Sequence, residues 1–176
     1  MHKVITLIIA GLVGLALSVS GISFAIPPRV MQQAAPDVMG QTWLNSKPLS
    51  LAGLKGQVVM VEFWTYGCYN CVNVEPYVKD WYDKYKNKGF TVVAVHSPEF
   101  SHEKKLSNVR DYVRRKGITY PVVIDNDFAI WRRYQNRYWP AMYLIDKNGQ
   151  IRYRAIGEGR YIQTEQMIQT LLNEEN

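Results

Sequence analysis

The stretch Val58-Val59-Met60-Val61-Glu62-Phe63-Trp64-Thr65-Tyr66-Gly67-Cys68-Tyr69-Asn70-Cys71 constrains this chain more than any other. A short apolar run of β-branched and aromatic residues suits a buried strand, and two cysteines three apart follow it at once. They are the only two cysteines in the chain. If a helix starts near Cys68, their Cα atoms lie about 5 Å apart, inside the window that a disulfide requires. A helix N-terminus also directs unpaired N–H groups and partial positive charge at the first sulfur, which favours its thiolate. Cys68 is then the exposed attacker and Cys71, one turn further in, the resolving thiol. Haem attachment would need a histidine after the second cysteine, where Val72 stands. A structural zinc site usually takes four Cys or His ligands, and only two cysteines exist. A bridge across two residues closes too small a loop to stabilise the fold much. Redox chemistry with no metal and no separate cofactor is the reading left.

Residues 1–25 have the form of an export segment. Lys3 supplies a positive start, Val4 to Leu17 is apolar apart from Thr6, and Ser23-Phe24-Ala25 is a small–x–small cleavage signal. An uncleaved anchor is the alternative, since Val4 to Ile26 is just long enough to span a bilayer. Either way the remainder is expected outside the cytoplasm, in a periplasm or an equivalent compartment. No cysteine follows the apolar run, which excludes a lipoprotein anchor. Residues 26–40, rich in Pro, Gln and Ala, read as a tether, and 41–176 as one domain. Without Lys3 the chain carries 20 basic and 15 acidic side chains, a net charge of +5. The pairs Lys104-Lys105, Arg114-Arg115 and Arg132-Arg133 read as solvated helix faces, and export argues against nucleic-acid binding.

Trp43 to Leu54 has turn residues between apolar positions and predicts a short N-terminal hairpin. Val58 to Trp64, Thr91 to Val95 and Val122 to Ile124 predict buried strands. Val74, Val78, Trp81, Tyr82 and Tyr85 recur at helical spacing, as do Leu106, Val109, Tyr112 and Val113. Phe128, Trp131 and Tyr134 mark a short helix. Ala141 to Ile145 and Ile151 to Ile156 flank Lys147-Asn148-Gly149, a hairpin signal, and Ile162 to Leu172 closes the chain with a helix. This alternation predicts an α/β fold, with a mainly parallel central sheet, an antiparallel C-terminal hairpin and helices on both faces.

A strand, CxxC at a helix start, a later X-Pro before a hairpin and a terminal helix together resemble thioredoxin. The leading segment and the extra helix–strand insertion are similar to the exported TlpA/ResA branch. Closer still is the thioredoxin-like domain of DipZ-type proteins. It is matched by Phe63-Trp64-Thr65-Tyr66-x-Cys68-x-Asn70-Cys71, His96-Ser97-Pro98-Glu99-Phe100, Tyr120-Pro121-Val122, Asp125-Asn126-Asp127, Tyr138-Trp139-Pro140-Ala141 and Gly157-Glu158-Gly159. DipZ-type proteins fuse this domain to a polytopic membrane electron carrier, so here a separate membrane carrier is expected to supply electrons.

The resemblance implies a cis Trp139–Pro140 bond opposite the cysteines, exposing the Trp139 backbone to a substrate strand. It also implies that Glu62 is a buried acid beneath the CxxC helix, taking the proton of Cys71. Alternation puts Glu62 on one face with Met60 and Trp64 but does not say which face. Glu75, four after Cys71, competes for the role. Parallel strand ends share one edge, so Cys68, His96 and Asp125 to Asp127 are expected along one rim. Trp64, Tyr66, Tyr69, Asn70 and His96 are candidate substrate contacts. The reading is a monomeric thiol–disulfide oxidoreductase that reduces exported proteins. Tyr69-Asn70 supplies no cation to stabilise the thiolate, which disfavours a strongly oxidising couple. The alternatives are a disulfide oxidant or isomerase, a thiol peroxidase and a Sco-like copper module, for which the last histidine, His102, is badly placed.

Overall fold

The computed structural model describes residues 33–175. The expected export segment and residues 26–32 of the tether lie outside them. The elements are β1 (Gln33–Ala34), β2 (Trp43–Leu44), β3 (Val58–Trp64), α1 (Tyr69–Tyr85), β4 (Phe90–His96), α2 (Leu106–Lys116), β5 (Val122–Ile124), α3 (Ala129–Arg133), β6 (Ala141–Ile145), β7 (Gln150–Ile156) and α4 (Tyr161–Asn173). Among the described residues the strands form one sheet in the order β1-β7-β6-β3-β4-β5-β2.

Only β3, β4 and β5 run parallel to one another; β6, β7 and both leading strands pair antiparallel. The sheet is therefore mixed, with its parallel part confined to the centre. Trp43 to Leu54 does not form a hairpin. β1 pairs with β7 and β2 with β5, at opposite edges of the sheet. The reason lies at Asn45, which has a left-handed φ of 65°. Its side-chain amide donates to the carbonyls of Ile118 and Tyr120, so the turn docks on the approach to β5 instead of folding back. Part of the expected tether packs on the domain. Val38 is fully buried, and the Asp37 carboxylate accepts the Val38 and Leu51 N–H groups.

Alternation along β3 divides the core. Val58, Met60 and Trp64 face a cluster built by α1, α2 and α4, whereas Val59, Val61 and Phe63 face α3 and the leading segment. Val74, Val78, Trp81 and Tyr85 form the buried stripe of α1. Gly117 ends α2 in the left-handed conformation, with its N–H donating to the Arg114 carbonyl.

Candidate active site

Register brings the site together. Trp64, the last residue of β3, lies beside His96 at the end of β4, and Phe63 lies beside Ala141 at the start of β6. The turn Thr65 to Cys68, the loop after His96 and the Trp139–Pro140 segment therefore meet at one rim. The Ser97 N–H donates to the Trp64 carbonyl at 3.0 Å. The Trp139 indole N–H donates to the Ser97 carbonyl at 3.0 Å. The Trp139–Pro140 bond is cis.

Cys68 occupies the N-cap of α1, and its Sγ accepts the Cys71 N–H at 3.3 Å. Both cysteines are free thiols; Cys68 is half-buried and Cys71 buried. The Cys71 thiol donating to Cys68, aided by the Cys71 and Asn70 N–H groups, lowers the Cys68 pKa to about 7 against the opposing effects of burial and of Glu99. Cys71 is driven far upward, first by that same thiol–sulfur hydrogen bond and then by burial, with the charges of Cys68 and Glu62 adding. One sulfur is thus ready to attack while the other holds its proton.

Glu62 sits on the face under α1, between Ala94 and Met142 of the neighbouring strands. Burial first, then the Glu75 charge, then Cys68, push its carboxyl up to about 8. Glu75, on α1, is buried and accepts the Tyr112 hydroxyl at 2.8 Å. The two acids therefore differ in surroundings: Glu75 has a dedicated donor, and Glu62 is the one whose charge bears on Cys71.

The expected substrate contacts divide in two. Tyr69 is 77% exposed and Asn70 is exposed, flanking Cys68 at the surface. Trp139 is half-buried, its ring 4.3 Å from that of Trp131. Trp64 and His96, by contrast, are buried beneath the surface that Tyr69 and Asn70 form. His96 lies under Tyr66, stacked at 5.7 Å, with Nε2 3.2 Å from the Thr65 hydroxyl. Burial lowers its pKa to about 4, so it is neutral and cannot supply charge to the thiolate. Tyr66 is a half-buried wall whose hydroxyl donates to the His102 carbonyl. Asp125 is not at the open rim either. It is buried and accepts the Ile130 and Trp131 N–H groups and the Ser97 hydroxyl, bracing the start of α3.

Sequence reasoning did not single out three residues near the cysteine turn. Phe100 and Tyr138 are 52% and 60% exposed on the two loops that flank the cysteine turn. Glu103 is fully buried, with its carboxylate bonded to Gly67, the residue before Cys68. An acid in a charged loop gives no sequence signal of burial. Among the described residues, no group of three or more His, Cys, Asp or Glu is placed to hold a metal ion.

Fold and site together define a thioredoxin-like dithiol protein. The chain belongs to the AhpC/TSA family, whose model matches residues 31–154. It is similar to DipZ of Mycobacterium tuberculosis, 46% identical over 144 residues, which are 80% of this chain but 21% of that protein. The chain thus spans about a fifth of the DipZ length. It is also similar to the thiol-disulfide oxidoreductase ResA of Bacillus thuringiensis, 32% identical over 88% of this chain and 86% of that one. A solved thioredoxin-like protein in its oxidised form superposes with a TM-score of 0.75 and 29% identity, covering 83% of this chain and 99% of that one. These likenesses place the chain in the TlpA/ResA-like branch.

Proposed function

We propose that this chain is an extracytoplasmic thiol–disulfide oxidoreductase that works in the reducing direction on exported proteins. The observation that carries the reading is the asymmetry of the dithiol: Cys68 half-buried at a helix N-cap with its pKa near 7, Cys71 buried and protonated. A thiolate stabilised only this far resembles the thioredoxin regime and not the strongly oxidising one, where the reduced form is stabilised much further.

The Cys68 thiolate attacks a client disulfide, forming a Cys68–client bond and releasing one client thiolate. That step removes the Cys68 negative charge. Both Glu62 and Cys71 are held up in part by that charge, and Cys71 by its hydrogen bond to Cys68. Both pKa values therefore fall in the mixed disulfide. Glu62 becomes a base poised near neutral pH and takes the Cys71 proton. The Cys71 thiolate attacks Cys68 Sγ and expels the second client thiolate. The client gains two electrons, and the enzyme is left as the Cys68–Cys71 disulfide. A separate membrane electron carrier then reduces it.

Export rests on the charged start, apolar run and small-residue signal of residues 1–25. Among the described residues, no helix is long and apolar enough to cross a membrane. A Cys71→Ala variant in the source cell should accumulate mixed disulfides through Cys68 with exported proteins. Recovery of none would overturn the proposal.

A further inference from the structure

Glu103 belongs to a single 3-10 turn, Ser101–Lys104, in the loop between β4 and α2. Its side chain is completely buried, yet no Lys or Arg pairs with it among the described residues. Three backbone donors satisfy the carboxylate instead. Oε2 accepts the N–H groups of Glu99 at 2.6 Å and Phe100 at 2.9 Å, which closes the loop on itself. Oε1 accepts the Gly67 N–H at 2.9 Å, which ties that loop to the residue before Cys68. Gly67 is matched to this contact. A Cβ there would collide with Oε1, although the Gly67 backbone is not in the left-handed region that favours glycine. The contact, not the conformation, requires glycine. Within the turn itself, the Cys68 N–H reaches the Thr65 carbonyl only at 3.3 Å, so the bond to Glu103 is the shorter restraint.

We infer that Glu103 is a positioning residue for Cys68: by holding Gly67 it fixes the turn that places the sulfur at the N-cap, within reach of the Cys71 N–H. This rests on the dithiol reading above and adds a residue to it. The role is separable from electrostatics because the two effects have opposite signs. A carboxylate near the sulfur disfavours the thiolate by its charge. Loss of N-cap geometry also disfavours the thiolate, by withdrawing its donors. Removing Glu103 therefore raises the Cys68 pKa if positioning dominates and lowers it if charge dominates.

Glu103→Gln keeps the volume, but an amide has one acceptor oxygen and an NH2 donor. With its oxygen turned to the two donors at Glu99 and Phe100, its NH2 confronts Gly67. Gly67→Ala breaks the same bond from the other side with Glu103 intact. The pH dependence of Cys68 alkylation and the ultraviolet thiolate absorbance of the reduced full chain read the effect directly. Each variant should raise the Cys68 pKa by about one unit, which leaves about fivefold less thiolate at pH 7 when the starting value is near 7. The double variant should shift no further than either single one, because both remove one bond. Gly67→Ala carries the test if Glu103→Gln fails to fold. A lowered pKa, or an unchanged pKa with only a lower melting temperature, would overturn the positioning role. A wild-type pKa in the ordinary thiol range, about 8.5, would instead overturn the proposed function itself.

Discussion

At Glu62 the protein holds a carboxyl that burial, Glu75 and Cys68 push from 4.5 up to about 8. In the unfolded chain this group ionises near its ordinary value, so between about pH 4.5 and 8 the folded state binds the extra proton. Stability from this group is thus complete below pH 4.5, declines as pH rises, and levels off above about 8. Glu62→Gln should therefore raise the melting temperature relative to wild type at pH 7 and above, by a free energy on the order of 3 kcal/mol. The gain should vanish below pH 4.5, and paired thermal melts across pH check it. The same variant should slow Cys71 attack on the mixed disulfide about a hundredfold, the usual scale of a general base. Stopped-flow release of client thiol measures that step. A Glu62→Gln enzyme that resolves at the wild-type rate would hand the role to Glu75. The cysteine pair was legible in the sequence because spacing alone makes it chemically specific. The burial of His96 was not, because strand order places its backbone at the rim while Tyr66 folds over its ring.

Helix α1 is fixed by its ends and by one buried stripe. Trp81, 1% exposed, is the largest side chain in that stripe. Trp81→Ala should cost about 3–5 kcal/mol, from lost transfer and the cavity left behind; urea unfolding measures it. Asn45 shows why the leading segment does not form the expected hairpin. Its neighbours Ser46 and Pro48 gave a hairpin signal, but turn residues alone do not say which strand the turn serves. Its amide bonds to the Ile118 and Tyr120 carbonyls decide the matter. Asn45→Ala should lose about 1–3 kcal/mol and loosen β2 from β5, visible as faster amide exchange at Trp43 and Leu44. The Pro- and Ala-rich composition of the expected tether likewise gives no sign that Val38 reaches the core. The helices were legible because each buries one periodic face, and the apolar strands because helices cover the central sheet on both faces.

Across the whole molecule, the mixed sheet gathers three loops at one rim and leaves Tyr69, Phe100 and Tyr138 exposed around the cysteine turn. We propose that protein clients dock on this exposed aromatic surface. Tyr138→Ala should raise KM for a protein disulfide severalfold and leave reduction of a small aromatic disulfide unchanged, as steady-state assays with both would show. The direction of electron flow is a property of the complete dithiol, set by the balance between the Cys68 thiolate and the buried Cys71. The reduction potential of the Cys68–Cys71 couple, equilibrated in dithiothreitol or glutathione buffers and followed by tryptophan fluorescence, tests it most directly. A reductase should show a value near or below about −230 mV, toward the thioredoxin range; a value above about −150 mV, toward that of strong oxidants, would reverse the proposed direction.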